Sequence, residues 1–402
     1  MVPGRCARDE VETERGAVGL GETYGDEEYL AALQLFAARL PGHRLAQTST
    51  LWDLAADVIG SGTMAPGLID EGQGRWAFGP KSLAKLRGIV VSAFEVAFLD
   101  ALGRRLEVPV HALLGGKVRD RVDYAAYLFY RWERHPVPDA PVDDWGAALD
   151  AEGIVAQARR MVERYGFGSL KLKGGVFEPE QEIAATRALR EAFPDRPVRL
   201  DPNGIWSVET SVRVATALRD VIEYLEDPCA GLEGMAQVHA RTGVPLATNM
   251  WVTTLEEIPP AVKLDAVQIL LTDHHFWGGL RSTQQLSAIC STFGIGLSMH
   301  SNTHLGISLA AITQAAACVR GDLHACDTHR PWQTEDIITE PHRFVDGALA
   351  VSDRPGLGVE LDRAALDRLH RRWLESDVRT RDDVAAMRAA DPEWTAPPMP
   401  RW

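Results

Sequence analysis

A chain of 402 residues with 46% apolar content can bury a large core, and that length points to more than one domain. The formal net charge of −14 argues against nucleic acid as a partner, so any positive field for an anionic ligand must be local. Five widely spaced cysteines without a Cys-x-x-Cys argue against a disulfide framework or a zinc knuckle, and they lead us to expect a reducing, cytoplasmic setting.

In chain order, residues 1 to about 26 are charged and Gly-rich and end in Val18-Gly-Leu-Gly-Glu22, a short strand leading into a turn. Helical periodicity follows over Glu27 to Leu40, Leu51 to Val58 and Lys81 to Leu106, where apolar residues recur at i, i+3 and i+4. Val122 to Phe129 reads as a strand, and Arg131 to Trp145, with three prolines, as a long irregular excursion. The low-charge run from Leu305 to Val319 is too short for a membrane span, and the residues after Met1 do not read as a signal-type core. Near the end, Phe344 to Val351 predicts a hairpin turning at Asp346-Gly347, a last helix starts at about Asp362, and the Pro-rich tail after Asp382 is expected to wrap the surface.

Between Lys171 and His329, short apolar runs end one after another in polar, chemically capable residues. Counted from Lys173 through Asp201, Glu226, Asn249, Asp273 and His300 to His329, the steps are 28, 25, 23, 24, 27 and 29 residues, and each gap holds one amphipathic helical stretch. That is the period of a β/α barrel, whose strand C-termini open onto a single face. Asp201, Glu226 and Asn249 are then three oxygen donors on consecutive strand ends, a hard set suited to Mg²⁺. Each alone is also explained as turn or strand-end chemistry; together they are not.

Lys171 and Lys173 alternate on one strand, so both point into the barrel, and two close ammonium groups are expected to lower each other's pKa toward that of a base. Asp273 and His300 end neighbouring strands, where a carboxylate tunes an imidazole as a second acid/base group. His300 and His304 stand four apart, but no Glu follows His300, which disfavours a zinc-protease helix. Two bases around a divalent cation suit removal of the weakly acidic proton beside a carboxylate, followed by dehydration or epimerisation of a hydroxy acid.

The motifs Lys171-Leu-Lys173-Gly-Gly, Asp201-Pro-Asn-Gly-Ile-Trp206, Glu226-Asp-Pro-Cys, Ala247-Thr-Asn249-Met, Asp273-His-His-Phe-Trp277, His300-Ser-Asn302-Thr-His304 and Asp327-Thr-His329 together resemble the enolase superfamily, and within it the glucarate dehydratase family. The resemblance is dense from about Tyr124 onward and thinner before it. It implies an α/β fold, a (β/α)₇β barrel of the TIM type with an α+β capping domain made from the N-terminal region and the C-terminal segment. Residues 1–120 would be the cap, 121–340 the barrel and 341–402 the segment returning to the cap. It further implies Mg²⁺ on Asp201, Glu226 and Asn249, Lys173 as one base, and a His300–Asp273 dyad as the other. Lys171, Tyr127, Phe129, Asn302 and His329 match positions that hold or shape the substrate, and Arg381 matches an arginine for the distal carboxylate.

Such a family cap opens with a three-stranded sheet, whereas Val18 to Glu22 corresponds to that sheet's last strand. Our expectation is that the first strands are missing through a misplaced start or shortened frame, because Arg5 to Glu14 is too rich in charge to replace them. The family also carries a Thr where this chain has Trp76-Ala-Phe-Gly-Pro-Lys81. The expected activity is Mg²⁺-dependent dehydration of an acid sugar, D-glucarate first. The alternatives are dehydration or epimerisation of another hexarate or aldonate, and a weakly active paralogue that binds sugar acids. The expected partner is that small molecule, with neither nucleic acid nor membrane, and self-association is left open.

Overall fold

A computed structural model of the chain describes residues 6–14, 16–60, 83–134, 143–302, 304–376, 383–395 and 399–402. Arg381 and the Trp76 to Lys81 segment lie outside these residues.

The N-terminal region opens with β1 (Cys6–Glu12) and β2 (Val18–Tyr24), which pair antiparallel from Cys6↔Tyr24 to Glu12↔Val18. This corrects the reading of residues 5–14. The strand forms despite its run of charges, and one of them, Glu10, lies 2.9 Å from Arg363. Helices α1 (Glu27–Ala37) and α2 (Thr50–Ile59) follow, then the long α3 (Leu83–Leu106). Both glycines of Val18-Gly-Leu-Gly face α3: a Cβ on Gly19 would lie 2.0 Å from the Ala97 carbonyl oxygen and one on Gly21 2.2 Å from that of Ala93. Strand β2 therefore rests on the helix backbone itself, which only glycine permits. Because α3 is covered by β2, by α1 and α2, and by the barrel, it is apolar on nearly every side; Val90, Ala93, Phe94, Ala97 and Leu99 are all buried.

After α4 (Val110–Leu113), the first predicted strand divides in two. β3 (Arg121–Asp123) leaves the barrel to pair with a late strand, and β4 (Ala125–Phe129) enters it. The barrel then alternates through α5 (Ala151–Tyr165), β5 (Ser169–Lys173), α6 (Pro179–Ala192), β6 (Val198–Asp201), α7 (Val208–Leu218), β7 (Tyr224–Glu226), α8 (Leu232–Thr242), β8 (Leu246–Thr248), α9 (Ile258–Leu264), β9 (Ile269–Thr272), α10 (Leu280–Phe293), β10 (Gly296–Met299) and α11 (Gly306–Ala317). Strands β4 to β10 form one parallel sheet in sequence order. Local chemistry sets the boundaries. The side chains of Asp150 and Ser207 accept from the amides of Gly153 and Thr210 at helix starts, and Gly166, Gly243 and Gly294 end helices in the left-handed conformation.

Residues 322–327 close the sheet. His324 N donates to Leu297 O and Asp327 N to Met299 O on β10, while Ala125 N donates to Cys326 O and Cys326 N to Asp123 O on the other side, each at 2.8 Å. Leu170 and Leu172 of β5 are buried toward the helices, and their neighbours Lys171 and Lys173 point inward, as alternation requires.

The predicted turn forms, with Asp346 and Gly347 both at positive φ, but the residues after it, β11 (Ala348–Ala350), pair with β3. Helix α12 (Arg363–Glu375) is capped by Asp362, and α13 (Asp383–Ala390) begins the stretch after Asp382 that was expected to wrap the surface. The chain then returns to the barrel, where Arg401 N donates to Ile205 O and Ser207 N to Trp402 O. No helix among the described residues is long and apolar enough to cross a membrane.

Candidate active site

The register of β5 with β6 places Lys173 directly beside Asp201, and the lysine Nζ lies 2.6 Å from Asp201 Oδ2 and 2.7 Å from Asn203 Oδ1. One layer deeper, Lys171 Nζ is 2.6 Å from Glu226 Oε2, 2.7 Å from Asp327 Oδ2 and 3.4 Å from Asp201 Oδ2, above the ring of Tyr127. Lys171 is wholly buried, whereas 20% of the Lys173 side chain is exposed, so Lys173 is the lysine that meets the mouth.

The expectation that the two ammonium groups depress one another fails for Lys171. Burial pushes its pKa down, but Asp327 and Glu226 outweigh burial and hold it well above the ordinary lysine value. Carboxylates at contact distance act more strongly than a like charge farther off.

Asp201, Glu226 and Asn249 stand at the ends of β6 and β7 and just past β8, all buried. Burial alone would raise the Asp201 carboxyl, but Lys173 and Lys171 bring it down to about 2. Glu226 goes the other way: burial, then the Asp201 charge, push it well above the usual range. Two carboxylates this close in a dry site repel each other, and a cation between them removes the conflict. Both Glu226 carboxylate oxygens and Asn249 Oδ1 are buried without a hydrogen-bond partner among the described residues; Lys171 reaches Glu226 Oε2 as an ion-pair neighbour at 2.6 Å. Buried oxygens rarely stay unpaired, and hard oxygen donors in this number can hold a divalent cation such as Mg²⁺.

Across the mouth, His300 follows β10 and Asp273 follows β9. His300 Nδ1 lies 3.1 Å from Asp273 Oδ2, while its Nε2 makes no hydrogen bond among the described residues. Burial lowers the His300 pKa below its usual value, against the pull of Asp273, so the ring is held neutral with a basic nitrogen available. Asp273 itself is held well below the ordinary carboxylate range, since His275 and His300 overcome the effect of burial.

Four further expected residues gather at the same mouth. The rings of Tyr127, Phe129 and His329 lie 4.7 to 5.5 Å apart, His329 Nδ1 is 3.1 Å from Ser301 Oγ, and Asn302 hydrogen-bonds Tyr24.

Several residues escaped the sequence reading. Asp327 and Asn203 partner the lysines; both stood inside motifs read from the sequence but were given no role there. Asp227, pushed up to about 7 by burial and by Asp201, accepts from Thr248 Oγ1 and Asn249 N and so fixes the asparagine. Tyr24 and His275 contact Asp273. One ligand atom each from Asp273, His274 and His275 lies within 4.8 Å of the others, but Asp273 and His275 are engaged with one another and with their neighbours. That group is therefore a hydrogen-bond network first.

Residues 153–365 match the model described as Enolase C-terminal domain-like. A probable glucarate dehydratase of Streptomyces coelicolor is 61% identical over 396 residues, 98% of this chain and 91% of the relative. An enolase of Thermobispora bispora, crystallised with magnesium and formate, superposes with a TM-score of 0.92 at 51% identity, covering 99% of this chain and 93% of that one. A Pseudomonas fluorescens enolase with bound magnesium, potassium and tartrate gives 0.92 at 46% identity, over 99% and 92%.

Proposed function

Because the chain belongs to the enolase superfamily, we propose that it is a Mg²⁺-dependent dehydratase of acid sugars whose substrate is D-glucarate and whose product is 5-dehydro-4-deoxy-D-glucarate. The observation that carries this reading is the pairing of two basic groups, Lys173 and His300, across a mouth that also holds oxygens of Glu226 and Asn249 with no hydrogen-bond partner among the described residues. The substrate named for the Streptomyces coelicolor relative supports the choice of acid sugar.

Bound by Asp201, Glu226 and Asn249, the cation would supply the positive charge that stabilises the substrate carboxylate as its neighbouring carbon loses a proton. Lys173, oriented by Asp201 and Asn203, exchanges a proton on one side of that carbon. His300 Nε2 serves the other side, its ring fixed by the Asp273 contact at Nδ1. The same imidazole, once protonated, donates to the departing hydroxyl. Lys171 and Asp327 keep the charge beneath the site balanced, while Tyr127, Phe129, Asn302 and His329 shape the space for the polyol. Arg381 is assigned to the distal carboxylate by the resemblance alone.

The test is turnover of a panel of hexarates and aldonates, before and after chelation. Activity on D-glucarate that disappears with chelator and returns with Mg²⁺ is expected. Undiminished turnover in excess chelator, or turnover only of a different acid sugar, would overturn the assignment.

A further inference from the structure

Asp273 is surrounded by donors, and only one of them is the dyad imidazole. Oδ2 faces His300 Nδ1 at 3.1 Å and the Tyr24 hydroxyl at 3.3 Å; Oδ1 faces His275 Nδ1 at 2.7 Å and the His275 amide at 3.0 Å. Tyr24 ends β2, 249 positions away in sequence. Burial first, and the Asp273 charge second, hold its phenol well above the ordinary value, so it is a donor here. On its far side His275 Nε2 lies 3.0 Å from Ser308 Oγ and 3.2 Å from the Glu22 carbonyl. Glu22, also on β2, turns its buried carboxylate to the amides of Leu305 and Ser308 at the start of α11. One capping strand thus grips both the residue that holds the carboxylate and the helix behind it.

We propose that Tyr24 and His275 are positioning residues for the His300 base: together they lock the Asp273 carboxylate in the orientation that binds His300 through Nδ1 and leaves Nε2 to the substrate. A carboxylate held by a single imidazole can rotate about its last bond, and the ring it holds can exchange tautomers or flip. With donors on both oxygens, that rotation breaks two or three buried hydrogen bonds at once. The tautomer of a catalytic imidazole is set by what its other nitrogen binds, so the cradle fixes the basic nitrogen as well as its direction. The capping strand is in this sense part of the base. The inference rests on the proposed role of His300 in the dyad.

The experiment measures deuterium incorporation from D₂O into D-glucarate and its C5 epimer, with kcat and KM, for Tyr24→Phe, His275→Phe and His300→Asn, alongside ¹⁵N-resolved tautomers of His300 in the substrate-free protein. Exchange at the epimer served by His300 is expected to fall about 10-fold in Tyr24→Phe and about 100-fold in His275→Phe. Exchange served by Lys173 should stay within about twofold of wild type in both, which shows that the fold is intact, and the loss should fall on kcat with KM little changed. The Nδ1–H tautomer of His300 should lose population in the same order. Wild-type exchange in His300→Asn would sink the dyad reading itself. If instead His300→Asn loses one epimer while both cradle variants keep wild-type exchange ratios and tautomers, the cradle is wrong. Loss of both epimers together, with an unchanged tautomer, also overturns it, since that pattern marks general disruption.

Discussion

The two sides of the barrel mouth are built on different plans. On the Asp201–Glu226–Asn249 side the three oxygen-bearing residues and Lys173 stand at or just past the ends of neighbouring barrel strands, and the charged groups are in direct contact while both Glu226 oxygens and Asn249 Oδ1 have no hydrogen-bond partner among the described residues. On the Asp273–His300 side, hydrogen bonds fill both carboxylate oxygens, and some of the donors and supports arrive from β2. On the proposed function the first side would accept a cation, whereas the second already has its hydrogen bonds in place and has only to hold its shape. Electrostatic conflict is thus concentrated where a ligand relieves it, and hydrogen-bond saturation where geometry must not change.

The largest effect should come from the first side. Asp201→Ala removes a donor and the partner of Lys173, and is expected to abolish calorimetrically detectable Mg²⁺ binding and to lower kcat/KM by a factor on the order of 10⁴. Retention of Mg²⁺ binding at wild-type affinity would show that Asp201 is not among its ligands. Next come the bases. Lys173→Ala and His300→Asn should each lose about 10³-fold in exchange at one C5 epimer and much less at the other, with His300→Asn the more damaging to dehydration because the leaving hydroxyl then has no acid. Equal losses at both epimers in both variants would erase the distinction between the two sides.

The smallest effect probes how the cap is joined to the barrel behind the dyad. Glu95 of α3 accepts from the amides of Leu280 and Arg281 at the start of α10, and burial raises its pKa from 4.5 to about 7 against those hydrogen bonds. The folded chain therefore keeps a proton on Glu95 that the unfolded chain releases above about 4.5. Stability from this group is full at low pH and is lost as pH rises through about 7. Between pH 5 and 8, thermal unfolding of wild type should lose stability on the order of 2–3 kcal/mol relative to Glu95→Gln. A constant difference across that range would place the Glu95 carboxyl at its ordinary value.

Much of the barrel was legible because its signal is local. A short apolar run, a polar end residue and an amphipathic helix recur along β5 to β10, and alternation alone sent Lys171 and Lys173 inward. Tyr24 was not legible, since nothing near Gly21-Glu-Thr-Tyr24 announces a carboxylate 249 residues later. His275 stood inside a quoted motif, but two adjacent histidines give no hint which one turns toward Asp273. The strand at Cys6–Glu12 was misjudged because propensity was weighed without its partner; seven register pairs with β2 outweigh an unfavourable composition. The Lys171 charge state was misjudged for a related reason: Asp201 and Glu226 were placed on the same face, but the sequence does not show that Glu226 and Asp327 come to within 2.7 Å of the Lys171 ammonium.

The closing segment of the barrel has a mechanical meaning as well. Residues 322–327 are stitched to β10 on one side and to β3 and β4 on the other, and Asp327, at the end of that seam, reaches across the interior to Lys171 on the second barrel strand. The last stave of the wall is therefore fastened along its length by main-chain bonds and at its tip by a charge. A fluctuation that parts the seam must also pull an anion from a buried ammonium, so wall breathing and charge balance beneath the site form a single degree of freedom.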